Sequence, residues 1–540
     1  MRKRIVTALL AAAMMLSLLA GCYTETTVPV ESTDTNVTTS AQSETPSSSE
    51  ATTTSQTTTT SQTTTSTSST SSKKSPTTAR FPYSLIKRLK SSSATGGGTG
   101  STDGGSSGGT TTSDGGTQVN ENEFFYDEYR AYTQVADRIM SSAKRDINRQ
   151  NPTQGGFWRN NGTNLASDLL KMGDDLNGTT LWPYATYMEG VGAQISSAGL
   201  AQSYDAKQEY AKLLKNVLNY TDSEYNSADS LGLGCVQGSG PGTQIFNDDN
   251  VWVAMEWMNA YQLLGDNQYL TLAKRNLNFI FESWDTTVLG GGIWWCRPGR
   301  EYGEDLQKNA CINAPYAWAA AEMYELTGEQ SYLTNAIKAY NWTKEMLWDK
   351  NKNVILDKYY QVSTGYELDG STYAYNTGCM IGAAAMLYKV TGEEQYRTDA
   401  YALAEGASTT FYSERIRIRP TGEDAPEGAM GYYFDSPAPY TSSNLLWFQS
   451  NLAKGIFTLY EIDTEKGNTA DPKYARIVLN ATAVGAVNAG RADNYINPDM
   501  RSAEAPALAD ITPTGEGAAA RLMYMCDEFL KDYPRFDRIG

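Results

Sequence analysis

The sequence predicts an all-α protein, an (α/α)6 barrel of six helical hairpins preceded by a disordered tether, and three observations carry that prediction. Past Asn122 the apolar residues fall at helical spacing, with few alternating β-branched runs. A turn then recurs at long period as Leu264-Gly265-Asp266-Asn267-Gln268-Tyr269, Leu326-Thr327-Gly328-Glu329-Gln330-Ser331-Tyr332 and Val390-Thr391-Gly392-Glu393-Glu394-Gln395-Tyr396. The three glycines are 63 and 64 residues apart, and Gly199 with Tyr204 extends the series upstream. Finally, some 415 residues of helix exceed what one simple core accommodates, whereas a ring of hairpins buries an inner layer of helices.

Taken in order, Met1-Arg2-Lys3-Arg4 is a basic start to an apolar run from Ile5 to Ala20 that is too short to span a membrane. It reads as an export signal. Leu19-Ala20-Gly21-Cys22 resembles a bacterial lipobox, so residues 1–22 are expected to be a lipoprotein signal, with Cys22 lipidated and anchoring the protein at the cell surface. Residues 23–122 are dominated by Ser, Thr and Gly and have almost nothing to bury. As a flexible coil they would reach roughly 50–60 Å. The basic island Arg80 to Lys90 interrupts this tether and reads as a solvated charge run or a contact for anionic lipid or wall polymer. The catalytic domain is expected at 123–540.

Helices are expected near 124–146, 181–198, 205–220, 248–264, 267–284, 310–327, 330–348, 374–391, 394–411, 441–461, 472–489 and 514–531. Each glycine can end one helix in a left-handed conformation, and the acidic residues after it favour the start of the next. Periodicity leaves an open solenoid of hairpins as the alternative to a closed ring. With the first helix of each pair inside, the segments entering the inner helices open on one rim. Trp182, Asp248, Asn313, Asn376 and Tyr440 recur there at intervals of 66, 65, 63 and 64 residues. Aromatic faces and amides at a mouth suit a sugar, whose C–H surfaces and hydroxyls they match.

Composition narrows the chemistry. The chain has no histidine, which excludes Ser-His-Asp and Cys-His mechanisms and imidazole-held metals. Residues 1–120 carry nine Lys/Arg and seven Asp/Glu, so the overall charge of −17 leaves −19 for the remainder. An acidic domain of this kind is not expected to bind nucleic acid, and a neutral ligand fits better. Five cysteines besides Cys22 lie at no metal-binding spacing; their odd number leaves one unpaired, and a single Cys296–Cys311 bridge stays open.

Paired carboxylates are therefore the first candidates for acid/base work. Phe246-Asn247-Asp248-Asp249-Asn250-Val251-Trp252 places two at the start of a helix on the predicted rim. Retaining glycoside hydrolysis needs two carboxyls about 5–5.5 Å apart, and neighbours in a first helical turn can meet that separation. Like-charge repulsion would keep one protonated while helix N-terminal donors favour ionisation of the other. Asp174-Asp175 reads instead as part of a turn.

Asn247-Asp248-Asp249-Asn250-Val251-Trp252, Gly290-Gly291-Gly292-Ile293-Trp294-Trp295, Lys308-Asn309 with Asn313-Ala314-Pro315, and Thr372-Tyr373-Ala374-Tyr375-Asn376-Thr377-Gly378 resemble, in this order, the motifs of family 76 glycoside hydrolases. The resemblance covers about residues 124–531. It implies an (α/α)6 barrel, retaining endo-hydrolysis of α-1,6-linked mannan, no cofactor and no metal. It also implies Asp248 as nucleophile, Asp249 as acid/base, and Trp294, Trp295, Asn309, Asn313, Tyr375 and Asn376 as substrate contacts, to which the rim spacing adds Trp182. Trp294 and Trp295 also read as packing aromatics, and Asn313 and Asn376 as parts of helix starts. Asn250 and Val253 depart from the family pattern at the first sugar subsites. Transfer to another glycan shares the same intermediate, and a surface glycan-binding lipoprotein without turnover is the reading from a different class. Sugar epimerases, which share the barrel, are disfavoured by the missing histidines, and uronyl hydrolases by the acidic charge. A monomer with α-mannan as its partner is expected.

Overall fold

The computed structural model describes residues 132–148, 180–198, 204–238, 240, 242–301, 306–416, 430–435, 444–489, 495–500 and 513–537. The expected signal, Cys22, the tether, the basic island, Asp174-Asp175 and Tyr440 lie outside these residues. So does the first stretch of the first predicted helix.

Among the described residues there are twelve helices: α1 (Tyr132–Asn148), α2 (Leu181–Ala198), α3 (Tyr204–Asn216), α4 (Asn247–Leu264), α5 (Asn267–Phe281), α6 (Ala310–Thr327), α7 (Gln330–Met346), α8 (Ala374–Thr391), α9 (Glu394–Thr410), α10 (Asn444–Glu465), α11 (Lys473–Ala489) and α12 (Pro513–Asp532). The turns end helices as predicted. Gly265, Gly328 and Gly392 sit at φ of 74°, 71° and 75°, and their amides bond the carbonyls of Tyr261, Tyr324 and Tyr388. The tyrosine after each turn ties an outer helix to the one before it: Tyr332 Oη donates to Asn278 Oδ1 of α5 at 3.2 Å, and the Tyr396 ring meets Tyr340 of α7 edge-on at 5.3 Å.

The even-numbered helices form the inner ring, each packing against the next, and α12 packs against α2 to close it. The structure is an (α/α)6 barrel, not an open solenoid. The outer partner of α12 is the N-terminal helix α1, so the sixth hairpin joins the two ends of the fold. Tyr132 Oη donates to the Leu479 carbonyl of α11 at 3.0 Å, and Tyr524 Oη of α12 to Asp137 of α1 at 2.6 Å. Inner helices are nearly all buried: in α8 the whole run from Asn376 to Tyr388 is covered. They approach closely where side chains vanish. A methyl on Gly378 would stand 2.5 Å from the Leu452 Cα, and one on Gly190 would stand 2.8 Å from the Gly517 carbonyl.

Beneath the mouth the barrel holds charges as well as apolar groups. Glu189 of α2 accepts from Arg521 of α12 at 2.9 Å and from the Trp447 indole at 3.2 Å. Glu256 of α4 and Glu322 of α6 are buried in the same interior, with the half-buried Lys454 of α10 near them.

The loops entering the inner helices carry strands that the helical pattern does not predict. β1 (Thr221–Asn226) pairs with β2 (Leu231–Leu233). β3 (Gln307–Asn309) and β4 (Trp348–Asp349) pair with β5 (Val354–Val362), which forms a hairpin with β6 (Gly365–Thr372), and β7 (Tyr412–Ile416) pairs with β8 (Met430–Phe434).

Candidate active site

Asp248 and Asp249 occupy the first turn of α4, partly exposed at the mouth. One extended strip sets what surrounds them. Asn247 N donates to the Trp295 carbonyl and Asn247 Nδ2 to the Trp294 carbonyl, both at 2.8 Å, while Trp295 N donates to the Gln307 carbonyl of β3 at 2.8 Å. Stitched on both sides, the strip turns the Trp295 indole onto the Phe246 ring, 4.6 Å away, and lets Nε1 donate to Asp248 Oδ2 at 2.9 Å.

The glycine-rich loop before this strip depends on backbone freedom, with Gly290 and Gly292 at φ of 69° and 95°. Lys308 holds it from below: its ammonium donates to the carbonyls of Asp285, Val288 and Gly291 at 2.8, 2.7 and 2.6 Å and to Asp285 Oδ2 at 3.0 Å. Burial works to raise the Asp285 carboxyl, but hydrogen bonds from Thr287 and Lys308 bring it down to about 2. Trp294 is largely buried between this ammonium, 4.7 Å from its ring, and the Tyr366 ring at 6.2 Å. Trp295 is thus the tryptophan that meets a catalytic candidate, and Trp294 braces the loop against the hairpin.

The two aspartates differ sharply in environment. Asp248 accepts from Trp295 Nε1 and, at 3.3 Å, from Cys311 Sγ on Oδ2, and from the Asp249 amide at 3.0 Å on Oδ1. Among the described residues nothing donates to the Asp249 carboxyl. Burial raises both acids above the ordinary carboxylate range; the three donors restrain the rise at Asp248, whereas at Asp249 the neighbouring Asp248 charge adds to it. Within the pair the donors favour the charge on Asp248 and leave the proton favoured on Asp249.

A third carboxyl, unmarked by any sequence motif, stands across the mouth. Asp357 on β5 is buried, accepts from Asn376 Nδ2 at 3.2 Å and lies 3.9 Å from the Lys358 ammonium. Burial, then Asp369, pushes it up to about 7, and the Asp248 charge contributes. Asn376 Oδ1 and Asn309 Oδ1 are buried with no hydrogen-bond partner among the described residues. Asn309 Nδ2 itself donates to Gln307 Oε1 at 3.2 Å.

Asn313 has a different task. Its Oδ1 accepts from Ile293 N at 2.8 Å and its Nδ2 donates to the Ile293 and Asn309 carbonyls, clamping the tryptophan loop to α6. Asn250 does the same for β2 through Leu233 N and O, both at 2.9 Å. Because α6 begins at Ala310, the residue matching Asp248 is Cys311, and in α8 it is Tyr375. Cys311 and Cys296 form no bridge, and no disulfide joins the five described cysteines.

Aromatic residues complete the wall. Trp447 of α10 meets Trp182, Trp252 and Tyr375 with ring centroids 5.3, 4.9 and 5.0 Å away, and Tyr375 stacks on Phe448 at 4.7 Å. Burial, and secondarily Cys311 and Asp357, raise Tyr375 well above the ordinary phenol range, so its hydroxyl stays protonated. The mouth therefore combines an aromatic wall, amide acceptors and two carboxyls of unequal acidity.

Solved structures share this fold. Bt3792 of Bacteroides thetaiotaomicron, a family 76 mannosidase, superposes with a TM-score of 0.60 at 22% identity, covering 75% of this chain and 100% of that one. An inactive variant of the α-1,6-mannanase GH76A of Salegentibacter sp. HEL1_6, in complex with α-1,6-mannotriose, superposes with a TM-score of 0.54 at 19% identity, covering 74% and 99%. A putative mannan endo-1,6-alpha-mannosidase of Schizosaccharomyces pombe is 24% identical over 229 residues, 42% of this chain and 51% of that one. Mannan endo-1,6-alpha-mannosidase DFG5 of Saccharomyces cerevisiae is 25% identical over 172 residues, 30% and 35%. The chain matches about half or less of the length of these curated relatives. The model of glycosyl hydrolase family 76 matches residues 167–489, more than half of the chain, and the protein belongs to that family.

Proposed function

We propose that the protein is a retaining endo-α-1,6-mannanase acting by double displacement, with Asp248 as nucleophile and Asp249 as acid/base. The observation that carries this reading is the division between two adjacent carboxyls at the mouth, one held by the Trp295 indole, the Cys311 thiol and backbone amides, and one to which nothing donates among the described residues. In the first step an oxygen of ionised Asp248 forms a bond to the anomeric carbon as the glycosidic C–O bond breaks, and the Asp249 proton passes to the departing oxygen. In the second, Asp249 takes a proton from water, whose oxygen attacks the anomeric carbon and releases Asp248. On this reading Asn309, Asn376 and Asp357 accept from sugar hydroxyls, and Trp182, Trp295 and Tyr375 cover C–H faces.

The substrate is drawn from the company the chain keeps. The curated relatives are named for mannan endo-1,6-α-mannosidase activity, and the Salegentibacter neighbour is an inactive form with two successive aspartates replaced by asparagine. The acidic charge favours a neutral glycan, and the lipobox at Cys22 supports placement at the outer surface of a bacterial membrane.

Incubating the purified chain with debranched α-1,6-mannan, with products followed by proton NMR, tests this. Internal cleavage with α-configured reducing ends forming first is expected. Initial β products would reject retention. Release of mannose alone from chain ends would reject endo action, and longer transfer products would favour transglycosylation.

A further inference from the structure

Cys311 is the second residue of α6, just as Asp248 is the second residue of α4 and Tyr375 of α8. The ring geometry brings these positions together at the mouth. Cys311 is 6% exposed, and its Sγ lies 3.3 Å from Asp248 Oδ2, the oxygen that also accepts from the Trp295 indole at 2.9 Å. With Oδ1 bonded to the Asp249 amide at 3.0 Å, both oxygens of Asp248 are occupied and the carboxyl plane is fixed.

Among the described residues no Lys or Arg pairs with Asp248, so its ionised form depends on neutral dipoles. The charged and titratable groups that face it are Asp249 on α4, Asp357 on β5, Tyr375 on α8 and Cys311 on α6. The first two oppose its ionisation, and Tyr375 is no donor to it among the contacts described. The Trp295, Cys311 and Asp249 donors, together with the backbone amide of Asp248 itself, carry the task, and the loss of one is not covered by a cation. A thiol is a weak donor, but directed at a carboxylate in a site of low polarity its dipole counts for more than in water.

We infer that Cys311 is a positioning residue for the nucleophile, its thiol and the Trp295 indole together holding Oδ2 of Asp248 in the orientation needed for attack. This inference rests on the two-aspartate reading. It gives a specific role to a side chain whose other plausible task is filling space between α4 and α6, and the two roles separate on substitution. Alanine removes the donor with a small loss of volume and valine removes it with a small gain, whereas serine keeps a donor at a volume close to that of alanine.

The test uses the full chain labelled with [¹³C-carboxyl]aspartate, comparing wild type with Cys311→Val, Cys311→Ala and Cys311→Ser. The Asp248–Asp249 pair titrates as a unit, so the quantity read is its lower macroscopic pKa. In Cys311→Val and Cys311→Ala this pKa is expected to rise by about half a unit or more, and in Cys311→Ser to stay near wild type. The acid limb of kcat/KM on α-1,6-mannan should move with it, with kcat reduced several-fold below that limb and KM little changed. Wild-type titration in the folded Val and Ala variants would overturn the inference. Inactivity of the wild type on mannan would instead count against the proposed substrate, and the carboxyl titration would still decide the role of Cys311.

Discussion

At the scale of single residues, adjacency is what separates Asp248 from Asp249. They share a helical turn, yet only the first points into the donors of the tryptophan strip and α6. Asp248→Asn removes the nucleophile and Asp249→Asn the proton donor, and each should lower turnover of α-1,6-mannan by about three orders of magnitude or more. Helical circular dichroism should be unchanged. The melting temperature of Asp249→Asn should equal or exceed that of wild type, because burial and the Asp248 charge both disfavour an ionised Asp249. A marked loss of melting temperature would show that this carboxyl is structural. The pair was legible in the sequence because a chain without histidine concentrates attention on carboxylates. The 65-residue spacing sets Asn313 in register with Asp248, whereas the helix starts set Cys311 there, because spacing locates a helix start within a residue or two while each residue turns the side chain by about 100°. Counting back 17 residues from Gly265, Gly328 and Gly392 gives Asp248, Cys311 and Tyr375, so the better register was present in the chain. No comparable signal marks Asp357, which lies on a strand between two helices and meets the site through the fold alone.

At the scale of elements, the division between inner and outer helices follows from composition. Inner helices are rich in Gly and Ala and cross closely; outer helices keep one polar face. Gly378→Ala would drive a methyl against the α10 backbone at Leu452 and Asn451, where no side chain can swing aside. A loss of about 1–3 kcal/mol is expected in a denaturant titration, with the mouth disturbed because α8 carries Tyr375 and Asn376. The tryptophan loop offers a separate test. Lys308→Met removes the ammonium that gathers three carbonyls and Asp285, and should cost about 3–5 kcal/mol while lowering kcat on mannan, although Lys308 contacts neither catalytic candidate. Full activity in that variant would mean the loop holds its shape without it. The helices and their glycine turns were readable from the sequence. The strands were not, for a physical reason: β5 and β6 are short pieces inside interhelical loops, defined by pairing with each other and with β3. They nevertheless carry Asp357 and Tyr366 to the mouth.

At the scale of the whole molecule, buried acids beneath the mouth tie stability to pH. Burial pushes Glu256 and Glu322 up to about 7 from an ordinary 4.5, although Tyr210 and Asn259 donate to Glu256 and Lys454 attracts Glu322. Between those values the folded chain binds more protons than the unfolded chain, so this contribution to stability is full below 4.5 and is lost as pH rises to about 7. Denaturation midpoints should fall between pH 5 and pH 7.5, and Glu322→Gln should flatten that dependence. An unchanged slope in the variant would place the titration elsewhere.

The seam between α1 and α12 also sets an order of events during folding. The α1–α12 bond joins residues 387 positions apart and the neighbouring bond from α1 to α11 residues 347 apart, the longest chain separations among the contacts described, so they form against the largest loop-closure entropy. A chain folding as it leaves the ribosome or an export channel can assemble the hairpins from α2 to α11 in sequence. Its first helix must wait for its last. Until then the arc has two unmatched apolar edges, which makes the incomplete ring the species most in need of a chaperone and the seam the place where two chains could exchange their terminal helices.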